Sequence, residues 1–212
     1  MTFDLSIINQ HFPELSELQR DRLEAYCQLI AEWNQKINLI ARTDVENLPK
    51  RHLLHSLAIA KVMAFKPKTN ILDIGTGGGF PGIPLAILFP QCRFHLIDSI
   101  GKKIMVVQDC IERLALENAT ADQIRAENVS KQYEFVVARA VTQLTKFLGW
   151  IKGKFKPYSF NDLPNGVLYL KGGDLAQEFS SLQVKPTQYP IRDYFDYDEF
   201  DQKYVIHLPR KS

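Results

Sequence analysis

Cysteine is scarce in this chain: three in 212 residues, Cys27, Cys92 and Cys110, far apart in sequence. No CxxC pair and no Cys/His cluster is present, which argues against a zinc site and a disulfide framework. No bound metal is expected. No apolar run approaches the ~20 residues that a membrane span needs. The opening MTFDLSIINQHFPELSE has neither the basic start nor the apolar core of a secretory signal. A cytoplasmic protein without a membrane partner is the expectation. An excess of one charge is missing too. Lys and Arg number 26 against 24 Asp and Glu, a net charge of +2. A nucleic-acid partner would therefore have to be held by local positive charge.

What is present fits an ordinary folded chain, 45% hydrophobic and 24% charged, long enough for one domain with an appended element. Leu23, Tyr26, Cys27, Ile30 and Trp33 recur at helical spacing and predict a helix over 14–39. Leu54, Leu57, Ala58, Val62 and Phe65 predict a second over 44–65, with Asp44 as its N-cap. After KPKTN the period changes and strands alternate with helices. ILDI (71–74) precedes a helix over 82–89, and RFHLID (93–98) one over 102–116. A short strand at 119–124 is followed by EFVVARA (134–140) and a helix over 142–155. GVLYLKG (166–172) leads to a helix over 174–182, and QYPIRDYF with KYVIHLP suggests a closing antiparallel hairpin. The fold class implied is α/β, a mostly parallel sheet with helices on both faces. Residues 1–66 would form a helical extension capping a domain of residues 67–212.

The most informative stretch is NILDIGTGGGFPGIPLAILFP (70–90), where five glycines fall within eight residues after the first strand. In an open parallel sheet, ligands sit at the carboxyl ends of the strands. A triphosphate-binding loop, GxxxxGK[ST], is excluded because Ile83 and Pro84 follow Gly82. Gly77, Gly79 and Gly82 match GxGxxG, and Asp98 lies where a ribose-binding acid belongs, so a dinucleotide reading stands. A third reading starts at Asp73: the pattern DxGxGxG, through Gly75, Gly77 and Gly79, resembles the first motif of Rossmann-like S-adenosylmethionine-dependent methyltransferases. A carboxylate at the mouth of the loop favours a sulfonium and an ammonium and repels a pyrophosphate.

The resemblance narrows with WNQKINLIA (33–41), RHLLHSL (51–57), GTGGGFPGIPLAI (75–87), LIDSIGKK (96–103), VVARA (136–140) and YLKGG (169–173). In that order they are similar to the small-subunit ribosomal RNA (guanine-N7) methyltransferases, also called the glucose-inhibited division protein B family. The resemblance implies a Rossmann-like class I fold and S-adenosyl-L-methionine as cofactor. It also implies transfer of a methyl group to N7 of a guanosine in 16S rRNA of the small ribosomal subunit, by a monomer. It assigns Gly75, Phe80, Ala126, Glu127 and Arg139 to the cofactor site, with Asp73, Gly77 and Asp98 added from the wider motif. Guanine N7 carries an in-plane lone pair and no proton, so the reaction needs alignment rather than a general base. No catalytic base is therefore assigned; Arg139 and Lys171 are candidates for positioning the substrate.

Other features leave alternatives open. Lys171 at the same sheet edge reads either as a contact to RNA or as a solvated lysine. The run Trp150, Lys152, Lys154, Phe155, Lys156 reads either as an RNA-binding strip or as a helix terminus whose lysines answer the dipole. Lys102, Lys103 and Lys50–Arg51–His52 would extend a basic face. His52 and His55 read as structural, and Cys92 and Cys110 as core rather than nucleophiles. KPYSFNDLPNG (156–166) is a long loop bearing on the substrate side of the pocket. Two rival functions remain, a nicotinamide-dependent oxidoreductase and an RNA-binding assembly factor without turnover.

Overall fold

The computed structural model describes residues 2–180, 182 and 184–210. Seven strands form one sheet: β1 Asn70–Ile74, β2 Arg93–Asp98, β3 Ala119–Gln123, β4 Phe135–Arg139, β5 Gly166–Gly172, β6 Thr187–Pro190 and β7 Lys203–Pro209. Their order is β3-β2-β1-β4-β5-β7-β6. The first five pair in parallel, and β7 runs antiparallel to both β5 and β6. The α/β class and the antiparallel closing pair match the expectation. Among the described residues the accompanying α-helices are α1 Ser6–His11, α2 Glu17–Asn34, α3 His55–Val62, α4 Gly82–Leu88, α5 Gly101–Arg113, α6 Leu144–Trp150 and α7 Ala176–Ser180.

Both faces of the sheet are buried, which is why its central strands read as near-continuous apolar runs. Ile71, Phe135, Val137, Leu168 and Leu170 point into a core shared with Leu23, Tyr26 and Ile30 of α2, Leu57 of α3, Ile83 of α4 and Val106 of α5. The alternate residues Leu72, Ile74, Val136, Ala138 and Tyr169 face the other side, against Leu144 and Phe147 of α6. The stripe on α2 is buried as its spacing predicts, while Trp33 is half-buried and donates its indole N–H to Asp109 Oδ2 on α5 at 2.7 Å. All three cysteines are free and buried; burial pushes the Cys92 thiol up to about 11 and Cys110 to about 12, and raises Cys27 as well. They are core residues and stay protonated.

Several boundaries differ from the sequence expectation, each for a local reason. The first long helix starts at Glu17, where Ser16 and Gln19 close a capping box, and it ends at Asn34. Asn34 Oδ1 accepts the N–H groups of Leu39 and Ile40 and so turns the chain. Asp44 caps no helix. It ends a 3₁₀ turn, Arg42–Asp44, and its carboxylate is taken by Arg51 and His52. The chain then winds as a π-helix over Pro49–Leu54 into α3. The helix expected over 142–155 stops at Trp150, before Gly153 turns the chain at φ +77°. That expected over 174–182 covers only Ala176–Ser180; Ser181 lies outside the described residues. Helix α1 has no counterpart in the sequence reading.

The loop 156–166 does not reach the substrate side. It precedes β5 and therefore lies at the amino edge of the sheet, where Asn161 Oδ1 accepts from Lys66 N at 2.9 Å, beside the start of β1. The basic run beside it is likewise no open strip. Lys154 is buried and donates to Val129 O at 2.6 Å, and Lys156 pairs with Glu134 at 2.8 Å. Among the described residues no helix is long and apolar enough to cross a membrane.

Gly166 shows how tightly β5 is seated. A Cβ there would stand 2.2 Å from Leu208 O and 2.8 Å from Pro209 Cα, both backbone atoms of β7. Gly166→Ala is expected to cost about 2–3 kcal/mol of unfolding free energy, measured by urea denaturation; an unchanged midpoint would refute this account of the β5–β7 pairing.

Candidate active site

Strand order reverses between β1 and β4, and the crevice at their carboxyl ends is where an open α/β sheet binds ligands. The turn after β1 fills one side of that crevice. Gly75, Gly77 and Gly79 have φ of +68°, +59° and +107°, conformations that side chains rarely adopt. At Gly75 a Cβ would meet Val141 Cγ2 at 2.9 Å, so glycine lets the β4 end close on the loop. At Gly77 a Cβ would meet nothing within 4 Å and would project into open space.

Six of the loop's backbone N–H groups are spent on the protein itself. The N–H groups of Gly75 and Thr76 go to Ile97 O, those of Gly79 and Phe80 to Thr76 O. Gly77 N–H goes to Asp98 Oδ2 at 3.1 Å and Gly82 N–H to Asp73 Oδ2 at 2.9 Å. Six amides are thus committed inward, which leaves a poor cradle for a pyrophosphate. Asp73 is the hub of this arrangement. It is 0% exposed, and Oδ2 also accepts from Thr76 Oγ1 at 2.7 Å. Its Oδ1 has no partner among the described residues. The expectation that Asp73 stands at the mouth of the loop is corrected: on a strand with both faces buried, it points inward toward α4. Burial pushes its carboxyl up to about 7, despite the Thr76 and Gly82 bonds that oppose the shift.

A cavity of about 460 Å³ opens over this loop. Gly75, Gly77, Phe80, Asp98, Ala126, Glu127 and Arg139 all line it; Asp73 lies behind it, and Lys171 lines a neighbouring cavity. Asp98, at the end of β2, also accepts from Ile100 N–H at 3.0 Å, and Lys103 Nζ lies 4.0 Å from it. Ala126 and Glu127 sit in a 3₁₀ turn after β3, which Lys154 braces from beneath through Glu127 O and Val129 O. Leu39, carried by the turn that Asn34 pins, forms part of the wall, and Tyr26 OH donates to Gly78 O at 3.0 Å. The N-terminal helices therefore hold the glycine loop from outside.

Arg139 ends β4 with its guanidinium 4.7 Å from the Phe80 ring centroid. It donates to His52 Nδ1 at 3.1 Å, and His52 Nε2 lies 3.4 Å from Asp44 Oδ2. Burial, then the Arg139 charge, pulls His52 down to about 4, so the ring is neutral and accepts from Arg139. Arg139 is itself lowered by burial to about 10 and remains charged at pH 7. The relay Arg139–His52–Asp44 escaped the sequence reading, which took His52 as merely structural; the RHLLHSL segment was its only signal. Lys50 and Arg51, expected on an open basic face, are paired with Glu199 and Asp44. Among the described residues no three His, Cys, Asp or Glu side chains are grouped to hold a metal ion.

Residues 19–194 match the family model for GidB, rRNA small subunit methyltransferase G. Curated relatives described as ribosomal RNA small subunit methyltransferase G include one from Cytophaga hutchinsonii, 52% identical over 97% of this chain and 99% of its own. Another, from Flavobacterium psychrophilum, is 52% identical over 96% of this chain and 97% of its own. Among solved structures, a SAM dependent methyltransferase from Aquifex aeolicus superposes with a TM-score of 0.57 at 14% identity, over 80% of this chain and 100% of that one, a likeness of fold.

Asp73 generates a pH prediction. Its carboxyl binds a proton more tightly folded, near 7, than at the ordinary 3.8. Its contribution to stability is therefore fully present below 3.8 and is lost as pH rises through about 7, a difference of roughly 4 kcal/mol. Against Asp73→Asn, the wild-type unfolding free energy should fall steadily between pH 4 and 7. A pH-independent difference between the two proteins would overturn this account of the buried hub.

Proposed function

The chain belongs to the GidB family, rRNA small subunit methyltransferase G, and from that premise we propose that it transfers a methyl group from S-adenosyl-L-methionine to N7 of a guanosine in 16S rRNA. Residues 1–66 act as a helical extension on the catalytic domain of residues 67–212. The protein acts as a monomer. The ribosome is its partner, in the cytoplasm.

The single observation that carries the choice of cofactor is the commitment of six loop amides to backbone carbonyls, Asp98 and the buried Asp73. A phosphate-bearing cofactor would need those donors free, whereas a cationic nucleoside does not. The rest of the cavity fits. Asp98 keeps acceptor capacity for ribose hydroxyls beside Gly77. Ala126 and Glu127 form the wall for the adenine, and Gly77 leaves open the space that a Cβ would fill. When bound, the cofactor supplies an electrophilic methyl group on a sulfonium sulfur.

The chain's own residues then have to align the reactants, because guanine N7 presents a lone pair with no proton to remove. His52, pulled down to about 4 and so a weak base, and the protonated buried cysteines agree with a mechanism that uses neither base nor covalent nucleophile. Arg139 is held by His52 on one side and the Phe80 ring on the other, with the orientation of its guanidinium fixed. Lysine cannot reproduce both contacts, since an ammonium lacks the planar fork.

The direct test uses small subunits from cells lacking this protein, with labelled S-adenosyl-L-methionine. Labelled 7-methylguanosine in the digested RNA is the expected product. Label in another nucleoside would overturn the target, and cofactor binding without label would favour an RNA-binding role without turnover. Arg139→Ala and Arg139→Lys should each lower transfer by roughly 100-fold through lost alignment; wild-type rates in either variant would remove Arg139 from the site.

A further inference from the structure

Tyr158, 85% exposed, is the most exposed large apolar side chain among the described residues, and Phe160 beside it is 44% exposed. The loop that presents them is closely tied down. Asn165, buried at its end, donates through Nδ2 to Lys156 O at 3.0 Å and Tyr158 O at 2.9 Å, and its N–H goes to Ser159 Oγ at 2.8 Å. Asn161 Oδ1 accepts the N–H of Lys66, and its Nδ2 donates to Thr69 Oγ1 at 3.0 Å, ahead of β1. From the end of β7, Arg210 gives its guanidinium to Pro157 O at 2.6 Å and its N–H to Asn165 O at 2.8 Å. The backbone around Tyr158 is thus fixed from β1, from β7 and from its own turn, while the ring stands in water. A loop so ordered has already lost its conformational freedom, and a partner that covers its rings meets little further entropic cost.

The surface around the rings is basic. Its carboxylates are each taken by a lysine, Asp162 by Lys66 at 2.6 Å and the buried Glu134 by Lys156 at 2.8 Å. Lys68 precedes Thr69, and Arg93 donates its N–H to Thr69 O at 2.9 Å, which sets both residues beside the loop; both are exposed. Lys68, Arg93 and Arg210 have no ion pair among the described residues. The whole chain carries only +2, so this uncompensated charge is a local feature.

We infer that this surface at the amino edge of the sheet is a second contact for small-subunit rRNA, in which an unpaired base stacks on the Tyr158 ring and Lys68, Arg93 and Arg210 face the adjoining phosphates. The inference rests on the rRNA methyltransferase reading above and adds a surface remote from the reaction. A planar ring flanked by cations suits single-stranded RNA, because stacking accepts any base and the phosphates answer the charge. An apolar protein patch would cover the same rings but leave those cations desolvated without partners. Strand β1 spans five residues, about 17 Å at 3.3 Å per residue, so the surface and the crevice stand on opposite edges of the sheet. An extended RNA bridges them, whereas a single nucleotide in the crevice does not. The contact therefore holds the substrate equally in ground and transition states and leaves the chemical step untouched.

The test measures transfer to unmethylated small subunits. In the double variant Tyr158→Ala with Phe160→Ala, KM for subunits should rise roughly 10-fold with kcat unchanged. Tyr158→Phe keeps the ring and should stay within about twofold of wild type. The substituted side chains are exposed, so the fold is retained. Lys68→Ala with Arg93→Ala should make subunit affinity fall less steeply with salt. With Tyr158 replaced by a photoreactive benzophenone amino acid, irradiation of the complex should attach the protein to 16S rRNA. An unchanged KM in the double alanine variant, a loss of kcat in its place, or attachment to a ribosomal protein instead of RNA would overturn this contact alone. Failure of the wild type to label the subunits would instead overturn the methyltransferase reading, and this inference with it.

Discussion

A carboxylate with no exposure to water organises the centre of this molecule. Asp73 sits on β1 among apolar residues and binds through one oxygen to Thr76 of the loop and to Gly82 at the head of α4. Strand, turn and helix are joined at a single atom. Ionising a buried carboxyl is costly, as its raised pKa shows. The structure accepts that cost where the chain must reverse sharply and still hold its amides in a defined direction. The turn is so fixed by hydrogen bonds within the chain.

From that hub the site grows outward by successive supports. Tyr26 of α2 and Leu39 of the turn that follows it press on the loop, and Asp98 receives the amide of Gly77. Lys154 braces the turn that carries Ala126 and Glu127. Arg139 is oriented through His52 by Asp44, a residue in the short turn between α2 and the π-helical segment. The N-terminal segment therefore does more than cover apolar surface, because it supplies the partners that hold a charged group at the crevice. An unsupported guanidinium there would carry rotamer freedom and an uncompensated desolvation cost.

Two cavities meet at Arg139. One has a glycine loop and a ribose-suited acid; the other has the Lys171–Glu178 pair, the buried His55 and Lys203. Arg139 lines both. For a displacement that moves no proton, such shared placement matters more than any acid or base.

The sequence by itself determined the layered α/β class, the glycine turn and most of the residues around it. Gly75, Phe80, Ala126, Glu127 and Arg139 were legible through the family resemblance, and Gly77 and Asp98 through the wider motif; all line one cavity because a parallel sheet sends the ends of its strands to one edge. Side-chain direction and long-range pairing were not legible. Asp73 faces inward because of which face of β1 meets α4. Lys154 and Lys156 look like a basic strip in sequence, yet they turn onto a carbonyl and a carboxylate that only the fold brings near. Likewise the loop 156–166 lies at the far edge of the sheet because it precedes a strand, and His52 meets Arg139 across 87 positions of chain. Local periodicity records which residues are apolar and where turns occur; which polar groups become partners is decided when distant segments pack.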